Sequence, residues 1–285
     1  MTKFADKTVL ITGGAAGIGR LMAHKILKLG AKKMVLWDIN KENLEFTTAE
    51  LNSQGYNVFP YLVDVSDLEQ VKTKAQEVKN EVGKVDILIN NAGIVVGKYF
   101  HEHTHKDIDL SMNINTSALM HITLEFLNDM ITNNEGHIVN IASAAGMVSN
   151  PKMSVYCASK WAAIGWSDSL RLELERIAKN VKVTTVTPYY ISTGMFDGVK
   201  SRIIPIVKPE TAANKIVKAI QRNRVFIRMP GMVYLLPFVK GILPVRWFDF
   251  IIGKGFGVYK TMSEFKGHGN KSDNYESNRD IKKTA

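Results

Sequence analysis

The chain has 285 residues, 45% hydrophobic and 22% charged, which is the balance of a folded globular protein and excludes a disordered or fibrous one. Its one cysteine, Cys157, excludes an internal disulfide and any multi-cysteine zinc site, and points to a reducing, cytoplasmic setting. The net charge of +10 is unevenly spread: residues 1–197 hold 20 Lys/Arg against 21 Asp/Glu, whereas residues 198–265 hold 12 against 3.

Residues 1–7 carry no signal-peptide pattern, and no stretch reaches the roughly 18 apolar residues of a spanning helix. From there, short Val/Ile-rich runs at 8–14, 33–38, 58–65, 85–90, 137–142 and 181–188 read as strands. Amphipathic stretches at 17–29, 41–54, 67–82, 107–132 and 156–179 read as the helices between them. Ser66-Asp67-Leu68-Glu69 has the form of a capping box opening the third helix. A last helix at 210–221 and a short strand at 224–228 extend the pattern. Alternation of strand and helix predicts an α/β domain with a mostly parallel sheet covered on both faces. No repeat or linker interrupts residues 1–265, so a single domain is expected, followed by a polar, disordered tail at 266–285.

The first strand runs directly into Thr12-Gly13-Gly14-Ala15-Ala16-Gly17-Ile18-Gly19 and then a helix. Glycines there let the backbone approach a pyrophosphate, whose charge suits the helix start. Asp38 closes the second strand 19 residues after Gly19, where a carboxylate accepts from ribose hydroxyls and repels a 2′-phosphate; the residues alone also allow a plain helix cap. Asp64 and Val65 close the third strand, within reach of an adenine amino group. Asn91, Ala92 and Gly93 follow the fourth, where small residues admit a ribose.

Tyr156 and Lys160 lie four residues apart at the start of a helix, on one face. A phenol with a pKa of about 10 is a poor base at neutral pH, and a fixed ammonium nearby is expected to lower it. Ser143, after the fifth strand, is placed to hold a substrate oxygen against Tyr156. The alternating His101, His103 and His105 lack companion cysteines or an evident carboxylate set, so no metal site is expected.

In order and approximate spacing, the 12–19 turn, Asn90–Gly93, Asn115, Ser143, Tyr156/Lys160 and Pro188-Tyr189-Tyr190-Ile191-Ser192-Thr193 resemble the short-chain dehydrogenase/reductase family over about residues 5–230. The resemblance implies a Rossmann-type, doubly wound sheet of about seven strands and an NAD(P)-dependent alcohol/carbonyl oxidoreductase. It also implies roles. Tyr156 moves the hydroxyl proton and, with Lys160, contacts the cofactor; Lys160 binds the nicotinamide ribose and depresses the Tyr156 pKa, and Ser143 polarises the substrate oxygen. Asn115 holds a relay water. Gly13, Ala15, Gly17, Ile18 and Gly19 form the dinucleotide turn, and Pro188, Ile191 and Thr193 hold its nicotinamide end, Ile191 by backbone and Thr193 by hydroxyl.

Tyr189 stands where the family usually has glycine. Together with Trp37-Asp38-Ile39-Asn40 and Tyr156-Cys157-Ala158-Ser159-Lys160, the 187–196 run is similar to the retinol dehydrogenase/17β-hydroxysteroid dehydrogenase branch. That similarity implies an NAD-dependent oxidoreductase of a lipophilic alcohol, with a homodimer or homotetramer by analogy. Two alternatives stand beside it: an NADPH-dependent carbonyl or 3-oxoacyl reductase, and a non-catalytic nucleotide-binding scaffold on a lipid surface. Residues 194–260 are expected to shape the substrate cleft. The apolar, basic stretch at 225–260 leaves two readings, solvated charges around that cleft or peripheral contact with a membrane. No nucleic-acid-binding motif accompanies the charge, so no such partner is expected.

Overall fold

A computed structural model describes residues 1–267; the predicted tail lies, but for its first two residues, outside the described residues. Strands β1 (Thr8–Thr12), β2 (Lys33–Asp38), β3 (Val58–Leu62), β4 (Ile87–Asn90), β5 (Gly136–Ile141), β6 (Val181–Pro188) and β7 (Phe226–Met229) form one sheet in the order β3-β2-β1-β4-β5-β6-β7. Every pairing is parallel, so the mostly parallel expectation is met without exception. The order reverses between β1 and β4, and in open sheets of this kind ligands bind outside the strand C-termini at such a point.

Both faces are covered because successive β-strand residues point opposite ways. Val9, Ile11, Met34 and Leu36 meet α1 (Gly17–Lys28), α2 (Lys41–Ser53) and α7 (Pro209–Gln221) through Met22, Ile26, Leu51 and Ile216. Their neighbours Leu10, Val35, Trp37 and Leu88 meet α3 (Leu68–Glu81), α5 (Ala118–Thr132) and α6 (Ser154–Ile177) through Val71, Phe126 and Leu174. The helix between β6 and β7, α7, is the most clearly two-faced of all: Ala212, Ala213, Ile216, Val217 and Ile220 are buried at helical spacing.

Three local expectations change. The predicted 107–132 helix is α4 (His105–Met112), a π-helical turn at Asn113–Ser117, and then α5. Asp67, not Ser66, caps α3, accepting from the Glu69 and Gln70 amides at 3.0 and 3.2 Å, while the Ser66 hydroxyl turns back to Asp64. The last strand starts two residues later than expected. Beyond it the chain forms short helical pieces, α8 (Leu236–Ile242), α9 (Val245–Phe248) and a π-helical turn at Asp249–Gly255, that lie over the sheet's C-terminal edge.

Candidate active site

At the end of β1 the chain must turn sharply into α1, and two glycines make this feasible. Gly13 has φ +60°, and a Cβ there would lie 3.1 Å from both Ala92 Cα and Asn91 Nδ2; a Cβ at Gly19 would overlap the Gly13 carbonyl. Thr12 Oγ1 accepts from the Asn91 and Ala92 amides, and Asn91 Nδ2 donates to the Thr12 and Gly13 carbonyls, all at 3.0 Å. The turns after β1 and β4 are thereby fastened together at the switch point. Ala16 offers α1 no side-chain cap and the first turn holds no acidic residue, so the N–H groups of Gly17, Ile18 and Gly19 keep the positive end of the helix open to an anion. Gly17 lies opposite Thr193: a Cβ on it would come within 3.7 Å of the Thr193 side chain.

Asp38 ends β2. Its Oδ2 accepts from the Ala15 amide and its Oδ1 from the Asn40 amide, both at 3.0 Å, so it braces the glycine turn. The helix-cap alternative falls to Asn40, which accepts from the Asn43 amide at 2.8 Å. Burial raises the Asp38 pKa against the pull of those backbone donors. Asp64, just past β3, accepts from the Ser66 amide and hydroxyl at 2.9 and 2.6 Å, and Val65 beside it is half-buried. From β3 to β5 the row crosses four strand spacings, about 19 Å. An uncapped helix start, a cradle that side chains would fill and an acid at the β2 end together fit an extended dinucleotide.

The reactive groups collect one strand further along. Ser143 follows β5 and caps a single 3-10 turn, its Oγ accepting from the Ala145 amide at 3.1 Å. Tyr156 and Lys160, in the first turns of α6, are buried, and Lys160 Nζ lies 5.8 Å from the Tyr156 ring centre and donates to the Ile141 carbonyl at 3.0 Å. Burial pushes the Tyr156 phenol up to about 12, with the hydrogen bond to Ser143 opposing it. Burial likewise brings the Lys160 ammonium down to about 8. The loss of water around the phenol thus acts against the lowering expected from Lys160, whose proton is directed to the Ile141 carbonyl.

The fully buried Asn115 occupies the π-helical turn, whereas the neighbouring Asn113 is exposed. Asn115 Oδ1 accepts from the Ile94 amide, and its Nδ2 donates to the Ile94 carbonyl and Ser159 Oγ, at 2.9, 2.9 and 3.1 Å. It therefore ties the β4 turn to α6 beside Lys160, with Gly93 between them: a Cβ there would sit 3.1 Å from Asn115 Oδ1 and 3.5 Å from Lys160 Nζ. Pro188 closes β6. Ile191 makes an isolated bridge to Val207, and the Thr193 amide donates to the Ile191 carbonyl at 2.9 Å, holding that loop over the turn.

A cleft opens from Ser143, walled by Tyr189, Tyr190, Phe196, Leu236 and Ile252 among others. Tyr190 sits edge-on to Tyr189 and Phe196, with ring centres 4.5 and 5.0 Å apart, and Phe196 reaches Tyr156 at 6.1 Å. Sequence reasoning missed Asn150, whose Nδ2 donates to the Tyr190 hydroxyl and Thr261 Oγ1 at 3.1 and 2.8 Å, pinning the cleft wall to the segment after α9. A lone Asn in a loop gives no periodic signal, and its partners lie 40 and 111 residues away. Cys157 faces Met153 and Tyr190 and is packed, its thiol pKa raised by burial. His101 stacks on Tyr99, and among the described residues no group of three or more His, Cys, Asp or Glu is placed to hold a metal ion.

Comparison with known proteins agrees with this geometry. A family profile described as short chain dehydrogenase matches residues 7–203. Epidermal retinol dehydrogenase 2 of Mus musculus is 40% identical over 273 residues, covering 94% of this chain and 88% of that one. Estradiol 17-beta-dehydrogenase 11 of Homo sapiens is 39% identical over 240 residues, covering 84% and 80%. Among solved structures, a short chain dehydrogenase/reductase from Burkholderia phymatum in complex with NAD superposes with a TM-score of 0.76 at 27% identity, over 88% of this chain and 96% of that one. A metagenomic short-chain oxidoreductase in complex with NADP superposes at 0.67, also at 27% identity, over 80% and 96%.

Proposed function

This chain belongs to the short-chain dehydrogenase family and is an NAD(P)-dependent oxidoreductase of CH–OH groups, and from that premise we propose that it oxidises a lipophilic, retinol- or steroid-like alcohol with NAD in preference to NADP. The observation that carries the substrate class is the cleft itself: its walls are mostly aromatic and aliphatic, and they open onto the Ser143 hydroxyl, which is hydrogen-bonded to the Tyr156 phenol behind it. Relatives named for a retinoid and a steroid support it. The cofactor preference rests on Asp38, an anion at the end of β2 where a 2′-phosphate would meet repulsion.

Bound dinucleotide supplies the acceptor or donor of hydride. Every other task falls to the chain. Ser143 Oγ holds the alcohol oxygen against the Tyr156 hydroxyl, and Tyr156 takes the alcohol proton as a phenolate or returns it as a phenol. Lys160 and the Asn91–Gly93 turn hold the nicotinamide ribose, while Asn115 keeps that turn and α6 in register. The 15–19 backbone takes the pyrophosphate.

With the phenol at about 12 and the ammonium at about 8, the buried pair loses its first proton near pH 8. The reactive phenolate–ammonium form carries the same number of protons as the phenol–amine form, so the two rise together with pH. Oxidation should therefore climb through a midpoint near pH 8 and level off above it, and reduction should fall over the same range.

The test is turnover of purified protein with NAD⁺ or NADP⁺ against all-trans-retinol, a hydroxysteroid and a short secondary alcohol, followed by reduced-dinucleotide absorbance. Faster turnover of a lipophilic alcohol with NAD⁺ is expected. Preference for NADP⁺, or for the short alcohol, overturns the reading.

A further inference from the structure

We infer that Asn150 is a specificity-determining residue for the alcohol: its side-chain amide holds the Tyr190 ring and the Thr261 turn in place, and so sets how much bulk the cleft accepts beside Ser143 and Tyr156. It acts through those neighbours, as a positioning residue, and the inference rests on the lipophilic-alcohol reading above. Asn150 lies in the segment that joins the two reactive groups, after the 3-10 turn capped by Ser143 and before α6, and it lines the cleft while being only 9% exposed. An amide in a wall of aromatic and aliphatic side chains is costly to bury unless its hydrogen bonds are met. Its partners are themselves buried: Tyr190 is 6% exposed and Thr261 2%.

The protons of this network can be counted. Thr261 has one on its hydroxyl and donates it to the Val258 carbonyl at 2.9 Å. The 2.9 Å contact between the Tyr190 and Thr261 hydroxyls therefore takes its proton from Tyr190. Both hydroxyl oxygens then accept from Asn150 Nδ2, at 3.1 and 2.8 Å, which uses both of its N–H groups. The reverse orientation of the amide would exchange one unpartnered oxygen for two unpartnered N–H groups. Met153 Sδ, a weak acceptor, stands at 3.6 Å from the Tyr190 hydroxyl and 3.7 Å from Nδ2.

Each corner of this closed triangle controls a different part of the cleft. Thr261 fixes the Val258 carbonyl, and Val258 lines the cleft. The Thr261 carbonyl also accepts from the Lys200 amide at 3.2 Å, which ties in the loop after β6. Tyr190 is the ring against which Tyr189 and Phe196 stand edge-on, and Phe196 reaches Tyr156. None of the three residues belongs to the apolar layers that clamp the sheet, so releasing one loosens the wall and not the sheet.

The test is the ratio of kcat/KM for a hydroxysteroid to that for a short secondary alcohol, with NAD⁺ saturating. Asn150→Leu should lower this ratio about 3- to 10-fold, through KM for the hydroxysteroid, with KM for NAD⁺ and kcat for the short alcohol within about twofold of the parent. Thr261→Val keeps the shape of that corner without its hydroxyl and should act in the same direction, whereas Thr261→Ser restores the hydroxyl and should restore the ratio. In a Tyr190→Phe background, Asn150→Leu should change the ratio less than about twofold, because the group it acts through is already gone. An unchanged ratio in folded Asn150→Leu and Thr261→Val overturns the inference. So does an equal loss on both alcohols with Thr261→Ser no better than Thr261→Val, the mark of a merely structural role. If Asn150→Leu does not fold, the Thr261 pair decides by the same ratio. Each variant is compared with the parent, so a parent that prefers the short alcohol, which overturns the reading above, still leaves a ratio for the variants to change.

Discussion

The two halves of the sheet's C-terminal edge are built from different materials. Between β3 and β4 the edge presents backbone: glycine turns, an uncapped helix start, and amides pinned by Thr12, Asn91 and Asp38. Beyond β5 it presents side chains: Ser143 and Tyr156 under a wall of Tyr189, Tyr190 and Phe196, closed by a segment that returns after β7. Backbone geometry recognises what every dinucleotide has, a pyrophosphate and riboses, and leaves little room for variation. A wall of side chains can be recut by substitution without disturbing the sheet. Binding of cofactor and choice of alcohol are therefore separable, and variants can be placed on one side or the other.

The largest separation is expected from Tyr156→Phe. It removes the group that moves the proton and no contact of the dinucleotide turn, so turnover should fall about 10²- to 10⁴-fold while dinucleotide affinity, measured by fluorescence titration, stays within a few-fold. Parallel loss of both would break the division. On the opposite side, Asp38→Arg exchanges an anion for a cation where a 2′-phosphate would lie. The kcat/KM ratio should move toward NADP by roughly 10- to 100-fold, the worth of a charge-assisted hydrogen bond, with the order of preference among alcohols unchanged.

Tyr189→Ala should act in the reverse sense. Loss of one edge-to-face partner and a wider cleft should raise KM for a bulky alcohol up to about tenfold, with the dinucleotide KM unaffected.

The smallest effect lies at the far end of β5, where His137 is buried and bonded to Thr2 and Thr184 hydroxyls at 2.9 and 2.8 Å. Burial lowers its pKa to about 3, the nearby Lys182 charge adding to the effect. The unfolded chain binds a proton there that the folded one refuses. This contribution to stability is complete above the ordinary histidine pKa and is lost as pH falls from there toward 3, about 2 kcal/mol by pH 5. Denaturant melts of His137→Asn should show a flatter acid limb than the parent, and identical limbs would contradict the assignment.

Much of this edge was legible from residues because it is local. A glycine turn between a strand and a helix, an acid 19 residues on, and a Tyr and Lys four apart each declare themselves within one helical turn or one β–α unit. The sheet followed for the same reason: parallel strands covered on both faces read as continuous Val/Ile runs. What stayed hidden depends on distance or on departures from regularity. The π-helical turn that buries Asn115 and exposes Asn113 keeps the apolar spacing of an unbroken helix. The bonds of Asn150 reach loops far away in the chain. The pieces after β7 are too short to establish a period, and half their apolar residues face outward. The phenol's raised pKa could not be read from Tyr-x-x-x-Lys either, since spacing says who is near and not how much water has been removed.

The account turns on Tyr156 and Lys160 titrating as one buried unit, and the pH profile of kcat/KM for alcohol oxidation tests it most directly. For the parent enzyme the rise should have its midpoint near pH 8, set by the lysine. For Lys160→Met it should move several units upward, toward the value of about 12 that burial imposes on the phenol alone. A midpoint that stays in place when Lys160 is removed would contradict the account.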